Sequence, residues 1–223
     1  VIKWFTNMRE GIPAYIKIDM ATQNTELVKL SEGMKYTTSD HFNRNIYRHL
    51  RFNYPTYIFS DLSFEIDEDG VPYWICPVKK YNIGFGGTTI GRVVLCNAIT
   101  GETKDYAVED VPQWVDRVYS ADLLVELYNY HGTLKHGFFN SVLGQKDCLN
   151  TTDGYNYLAI DDDVWVYTGV TSITGDQSNV GFVLMNQRTM ETKFYEEQQK
   201  LPLCLQQKDR CRICTIWQHS HCS

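Results

Sequence analysis

Two groups of consecutive acidic residues are the first place in this sequence where cation chemistry could occur. One group is Asp161–Asp163, with Asp153 nearby, and the other is Asp67–Asp69. Calcium loops place their carboxylates at alternating positions with a glycine at the bend, and neither group has that pattern. Three consecutive side chains cannot all point at one ion, so both groups are interpreted as charged turns between strands. An acid–base or metal-dependent site built on Asp153 and Asp161–Asp163 remains the alternative.

The other familiar signatures of catalysis are incomplete. The glycine-rich run GFGGTTIG, Gly84–Gly91, superficially suggests a phosphate-binding loop, but such a loop needs Lys-Ser or Lys-Thr opening a helix, and here a strand is predicted to follow. No HExxH or GxSxG motif occurs among the histidines and serines. The sequence therefore assigns no catalytic, cofactor-binding or metal-binding residue and no cofactor, and it favours a protein that is not an enzyme.

The last segment contains the closest match to a metal motif. Cys211, Cys214, His219 and Cys222 resemble a zinc knuckle, although the usual spacing before the last cysteine and the usual glycine are missing. From Glu196 onward the alternation of apolar and polar residues ends, and a one-base change of reading frame would turn this segment into an ordinary protein sequence. We therefore interpret residues 196–223 as a frameshifted or disordered tail, with a zinc site as the alternative.

Three segments with the same pattern must form the framework. They are Pro13–Leu30, Gly91–Tyr106 and Val180–Tyr195. Each has an alternating apolar strand, a short polar turn that contains a threonine, and a second strand. The pattern predicts three β-hairpins of one kind, which indicates duplicated small units.

Two helices are predicted between these hairpins. Apolar residues at helical spacing predict the first helix over Asp40–Asn53, with Ser39 or Asp40 as its N-cap. A second amphipathic region is predicted from Asp110, with a possible break near Ser120 and with Gly132 just past its end.

The remaining strands are predicted from alternation and turn residues. Tyr57–Ile66 and Val71–Lys79 are expected to form a hairpin around Asp67–Gly70. Pro72 and Pro77 indicate an edge position or a bulge. Short strands with tight turns are predicted in Thr151–Ser172. Strands grouped in antiparallel sets and separated by helices indicate an α+β fold, with one unit over 1–109, a second over 110–195 and the tail over 196–223.

Composition excludes several classes of function. The chain has 223 residues and a formal net charge of −6, which disfavours nucleic-acid binding because phosphates would repel it. It has no run of 18 apolar residues that could span a membrane. Cys76, Cys96 and Cys148 lie in apolar surroundings and are predicted to be core residues. The sequence begins without methionine, so we expect a fragment of a longer protein, soluble by itself.

Four long segments carry a resemblance to a known family: His49–Val78, Glu109–Gly132, Thr151–Ser172 and Ser178–Tyr195. They resemble an uncharacterised family of membrane-anchored surface proteins of Gram-positive bacteria, some of which are labelled twin-arginine signal-sequence proteins. The turn Asn97–Glu102, NAITGE, is also similar to the hairpin turn of PepSY-like modules. The resemblance implies an extracytoplasmic location, a membrane-anchored parent protein and small α+β units that bind or restrain partners.

These observations lead to two hypotheses of function. The first is a non-enzymatic extracytoplasmic domain that binds an unknown protein or cell-envelope partner through an exposed strand edge or an aromatic groove. The aromatic residues considered for that groove are Tyr73, Trp74, Trp114, Trp165 and Tyr167, each of which could equally belong to the core. The second is an envelope hydrolase or metal-dependent enzyme that uses the acidic residues Asp153 and Asp161–Asp163. The ligand and the oligomeric state do not follow from the sequence.

Overall fold

A computed structural model describes residues 10–18, 22–82, 87–135, 137, 141, 148–161, 163–173 and 179–196. These residues form antiparallel β-sheets and two helices, which confirms the predicted α+β class. The helices are α1 (Ile46–Asn53) and α2 (Ala121–Leu134). The strands are β1 (Ile12–Ile18), β2 (Thr25–Met34), β3 (Ser63–Ile66), β4 (Pro72–Tyr81), β5 (Thr88–Asn97), β6 (Thr103–Ala107), β7 (Leu149–Thr151), β8 (Asn156–Ile160), β9 (Asp163–Ser172), β10 (Asn179–Asn186) and β11 (Thr192–Glu196).

Two of the sheets are meanders, each of which follows a helix along the chain. After α1 comes a four-stranded sheet in the order β3-β4-β5-β6. After α2 comes a five-stranded sheet in the order β11-β10-β9-β7, in which β8 also pairs with β9. The remaining two strands, β1 and β2, pair with each other in a separate sheet.

Alternation along β4 and β5 gives the first meander two apolar faces. Val94 and Cys96 on one face pack with Ile46 and Leu50 of α1. Val93, on the opposite face, belongs to a larger cluster that also contains α2 and the inner face of the second meander. Because both faces are covered, strands β4 and β5 read as nearly continuous apolar runs.

The second meander contributes only one face to that larger cluster. Val166 of β9 and Val183 and Met185 of β10 are buried there together with Leu123 and Leu124 of α2. The same cluster therefore contains residues from both predicted units, 1–109 and 110–195.

The turns of the second and third hairpins have matching hydrogen bonds. Oδ1 of Asn97 accepts bonds from the backbone amides two and three residues later, at 2.8 and 2.9 Å, and Oδ1 of Asn186 does the same at 2.8 and 2.9 Å. In all three hairpins the next threonine accepts a bond from the amide two residues later, at 3.4, 3.2 and 3.3 Å for Thr22, Thr100 and Thr189. Side-chain oxygens thus satisfy amides that the strand ladder leaves free.

The residue after that threonine has a left-handed backbone in each hairpin. Its φ angle is +60° at Gln23, +80° at Gly101 and +64° at Met190. The returning strand begins three residues after the threonine and has the same register in each case. Thr25 pairs with Ile18 in the first hairpin, as Thr103 pairs with Cys96 in the second. The three sequence segments therefore form hairpins of the same register, with the same amide-to-threonine bond and left-handed residue in the part of each turn that the structure describes.

Both helices begin later than the sequence predicted. Helix α1 is preceded by a turn of 3₁₀ helix over Phe42–Arg44, and its N-cap is Asn45, whose side chain accepts a bond from the amide of Arg48 at 3.0 Å. Asp40 is not the cap, because the 3₁₀ turn separates it from the helix; its amide donates to Thr37 Oγ1.

Helix α2 begins at Ala121 and not near Asp110. Ser120 is its N-cap and accepts a bond from the amide of Leu123 at 3.3 Å, so the predicted break is the true start of the helix. Gly132 lies inside α2 and does not follow it. A Cβ at this position would collide with the carbonyl oxygen of Leu149, so glycine allows the helix to approach β7.

The β3–β4 hairpin, at the start of the first meander, is shorter than the sequence predicted. Only Ser63–Ile66 forms a strand in place of Tyr57–Ile66, while the turn at Asp67–Gly70 is confirmed, with a φ of +80° at Gly70. Of the two alternatives predicted for β4, an edge position or a bulge, the structure has the second: β4 lies between β3 and β5, and its register with β5 shifts after Val78. Pro72 is tolerated as its first residue, and Pro77 lies beyond the end of β3, next to a register shift after Val78.

Some predictions fall outside the described residues. These are the tail from residue 197, including its four cysteines, as well as Asp162, residues 19–21 of the first predicted hairpin and residues 83–86 of the glycine-rich run. The rest of that run leads into β5 and not into a helix, so the hairpin interpretation agrees with the structure. Among the described residues, neither helix combines the length and the apolar character needed to cross a membrane. Cys76, Cys96 and Cys148 are buried, as predicted.

Candidate interaction surface

The hairpin formed by β1 and β2 carries three highly exposed apolar side chains on one side. Ile16 is 67% exposed, Ile18 61% and Leu27 61%. The register places these side chains together, because Ile16 lies opposite Leu27 and Ile18 opposite Thr25, and facing pairs in an antiparallel ladder share one side of the sheet. We call this side, with Ala14 and its partner Lys29, the open face.

The opposite side of the same hairpin is partly covered. Tyr15 and its partner Val28 are half-buried. The hydroxyl of Tyr15 lies near the turn at Gly70, since a Cβ added to that glycine would be 3.9 Å away from it. The hairpin therefore rests on the first meander with one side and leaves its open face to solvent.

The base of the hairpin is anchored to the turn of the second hairpin. After β2 ends, the amides of Lys35 and Tyr36 both donate to the carbonyl oxygen of Ala98, at 2.8 and 2.9 Å. Trp74 then donates from Nε1 to the carbonyl oxygen of Tyr36 at 2.8 Å. These bonds fix where the hairpin leaves the body of the protein, so its open face has a defined direction.

The acidic residues that a hydrolase or metal-dependent enzyme would use here occupy structural positions. Asp163 accepts two bonds from the Arg188 guanidinium, each at 2.8 Å, and one from Asn186 Nδ2 at 2.9 Å. Asp161 occupies the turn before β9 with a φ of +50°, and Asp153 is exposed. Across the part of the chain that the structure describes, no three His, Cys, Asp or Glu residues are grouped as metal ligands.

The second acidic group is also a turn, as interpreted from the sequence. Oδ1 of Asp67 accepts bonds from the amides of Asp69 at 3.0 Å and Val71 at 2.8 Å. The carboxylate therefore stabilises the β3–β4 turn in the way that aspartate commonly does at such positions.

Glu65 is the carboxylate with the most perturbed environment. It accepts bonds from the amides of Asp116 and Arg117, at 2.9 and 3.0 Å, and from the Ser63 hydroxyl at 3.3 Å. Burial is the main cause that raises its pKa from 4.5 to about 7, and the nearby Asp116 carboxylate raises it further against the opposing effect of the amides. Its contacts join β3 to the segment before α2, which is a structural role.

The aromatic residues considered for a groove mostly pack inside the protein. Tyr73 and Trp114 contact each other with ring centroids 5.2 Å apart, at the margin of the large core. Trp74 belongs to the core under α1, while Trp165 and Tyr167 lie in a third cluster on the outer face of the second meander. Together they do not line a common groove.

An open depression of about 410 Å³ runs along the outer side of α2. It is lined by Asp122, Val125, Glu126, Asn129, Tyr130 and Thr133. A hydrogen bond to Asp122 raises the pKa of Tyr155 to about 12, so that tyrosine is neutral at physiological pH. Its carboxylates, Asp122 and Glu126, are exposed on α2 and are not enclosed by the depression, so the open face remains the better candidate site.

Sequence reasoning did not single out Ile16, Ile18 and Leu27. Alternation identified their strands, but an alternating strand has an apolar side whether or not another element covers it. A comparison of the three hairpins gives the missing signal, since the corresponding positions of the other two are buried in clusters that include helix residues. The chain matches no protein-family model, no curated protein and no solved structure.

Proposed function

We propose that this chain is a non-enzymatic binding domain that acts on the extracytoplasmic side of a membrane-tethered bacterial protein, through the open face of the β1–β2 hairpin. The observation that supports binding is the exposure of 67% at Ile16 and 61% at both Ile18 and Leu27 on one anchored face. Contiguous apolar surfaces of this kind are costly in water and mark interaction sites.

The edge of β1 adds a second means of binding. Among the described residues β1 pairs with β2 and with no other strand, so one row of its backbone groups can accept a further strand. Backbone pairing supplies affinity, and the neighbouring side chains supply specificity, when a peptide adds to a sheet edge. The location and the envelope partner rest on the resemblance to membrane-anchored proteins and to PepSY-like modules.

A binding experiment with matched variants tests the proposal. The wild-type protein, the double variant Ile16→Lys/Leu27→Lys and the control Phe52→Lys are immobilised and exposed to fractionated envelopes of Gram-positive bacteria. Phe52 is 72% exposed but lies on α1, away from the open face. We expect the wild type and the control to retain the same component and the double variant to lose it. Equal retention by all three proteins would contradict the proposal.

The location is tested separately on the parent protein. Protease added to intact protoplasts should digest an epitope placed in this domain if the domain lies outside the cytoplasm. Full protection in intact protoplasts, with digestion after lysis, would show that the location is wrong while leaving the binding result unaffected.

A further inference from the structure

The open face corresponds to positions that helices cover in the other two hairpins. The strand residues one and three places before the turn are Cys96 and Val94 in the second hairpin, and both are 0% exposed. They pack with Ile46 and Leu50 of α1. The same positions in the first hairpin are Ile18 and Ile16.

The third hairpin repeats this arrangement with a different helix. Met185 and Val183, at the same two positions, are 1% and 0% exposed. They share a cluster with Leu123 and Leu124 of α2 and with Val93 and Leu95 of the first meander. In both meanders the residues at these positions are therefore buried in a cluster to which a helix contributes, although the side chains themselves differ.

We propose, on the basis of the proposed function, that the open face of the β1–β2 hairpin binds an amphipathic helix of a partner protein. Ile16 and Ile18 take the places of Val94 and Cys96, and Leu27 adds a third apolar side chain from β2. The partner helix presents apolar residues three or four places apart, as an amphipathic helix does when it lies on an apolar groove.

Charge specifies the partner further. Lys29 lies on the open face, opposite Ala14, and has no ion pair within the described ranges. Glu26, the neighbouring acid, pairs in register with Lys17 and so lies on the other side of the hairpin. A helix that carries an acidic residue beside its apolar stripe complements this face.

The same charge pattern disfavours a second copy of this chain as the occupant. Two copies that joined edge to edge along β1 would leave both open faces in water. Two copies stacked face to face would bring their Lys29 residues into one apolar interface with no acidic residue on either face, and an uncompensated charge is costly there.

The chain itself supplies a suitable probe. A synthetic peptide of residues 120–134, the sequence of α2 with its cap, carries Leu123 and Leu124 beside the acidic Asp122 and Glu126. The matched control peptide has Leu123→Gln and Leu124→Gln, which removes the two buried leucines of the apolar stripe and keeps the charge. Methyl NMR of the intact protein then reports binding at Ile16, Ile18 and Leu27 directly.

We expect the α2 peptide to shift those methyl signals in a saturable way, and the control peptide to leave them unchanged. Ile16→Lys/Leu27→Lys should weaken binding by at least about tenfold, while Phe52→Lys should have no effect. Urea unfolding of each variant checks that the fold is retained, which we expect because the substituted residues are exposed.

Three results would overturn the helix as occupant: no shift at the open face up to millimolar peptide, equal shifts with the control peptide, or a wild-type dimer that the double variant dissociates. Loss of envelope binding in the double variant, combined with any of these results, would leave the proposed function standing and reject only the helix. Saturable peptide binding without any envelope binding would reject the proposed function instead.

Discussion

Replacing asparagine by aspartate in two matching turns should leave the stability of the protein almost unchanged in one turn and lower it in the other. Asn97 and Asn186 both use Oδ1 to accept bonds from the two backbone amides that follow. Aspartate retains that oxygen, and Asp19 stands at the corresponding position of the first hairpin sequence. Asn97→Asp should therefore change the free energy of unfolding by less than about 0.5 kcal/mol.

Asn186→Asp should destabilise the protein because of its second contact. Nδ2 of Asn186, a buried residue, donates to Asp163 at 2.9 Å, and a carboxylate cannot donate this bond. The lost bond to a charged group costs about 1.5–3 kcal/mol. Two carboxylates at that distance repel by about 6 kcal/mol at an effective dielectric constant of 20. Arg188, bound to Asp163, offsets part of that repulsion, so we expect a net loss of about 2–4 kcal/mol.

Urea unfolding of the two variants beside the wild type measures this difference at pH 7. The double variant Asn186→Asp/Asp163→Asn restores a donor and an acceptor and removes the second carboxylate, but it gives up one bond from Arg188, so it should recover part of the loss. The deficit of Asn186→Asp should also shrink in acid, where one of the two carboxyl groups is protonated. Equal destabilisation by Asn97→Asp and Asn186→Asp, or no recovery in the double variant, would refute the reasoning.

Three further predictions concern stability. Burial raises the pKa of Glu65 from its ordinary 4.5 to about 7, so the stability that Glu65 contributes is complete below pH 4.5 and is lost as the pH rises through 7. In urea unfolding, Glu65→Gln should flatten this decline of the midpoint with pH. At pH 5 the variant should lose about 1–2 kcal/mol, because one hydrogen-bond acceptor is missing. Gly132→Ala should destabilise by about 1–3 kcal/mol in thermal unfolding, despite the helix preference of alanine, because of the Leu149 carbonyl. Met190→Gly should stabilise by about 0.5 kcal/mol in urea by relieving the left-handed backbone, whereas Gly101→Met should destabilise.

The hairpins could be predicted because their determinants are local. Alternation of period two fixes which residues share a side, and the turn residues fix the register. The sequence pattern around Asn97 and Asn186 therefore identified both the strands and their pairing. Gly70 after three acidic residues was an equally local signal for the β3–β4 turn.

The helix starts could not be predicted as well because they depend on competing partners. Asp40 and Asn45 are both good cap residues, and the helix starts after Asn45, where the amide of Ile46 donates to the carbonyl oxygen of Thr37. The segment before α2 has helix-compatible residues, yet the amides of Asp116 and Arg117 donate to Glu65, which is about fifty residues earlier in the chain. A contact across that sequence distance leaves no local pattern.

The candidate site could not be predicted from the sequence because exposure, like the helix starts, depends on residues distant in the chain. A comparison of the three hairpins in the structure identifies it. Burial of a strand face is decided by whatever lies above it, so Ile16 in the first hairpin and Val94 in the second carry the same local pattern. Their exposures, 67% and 0%, differ because α1 covers only the second. Since all three hairpins share one strand register, the difference lies in the missing cover and not in the pairing of the strands. A face built like its buried counterparts, but left in water, is where an element from another molecule would gain the most by binding.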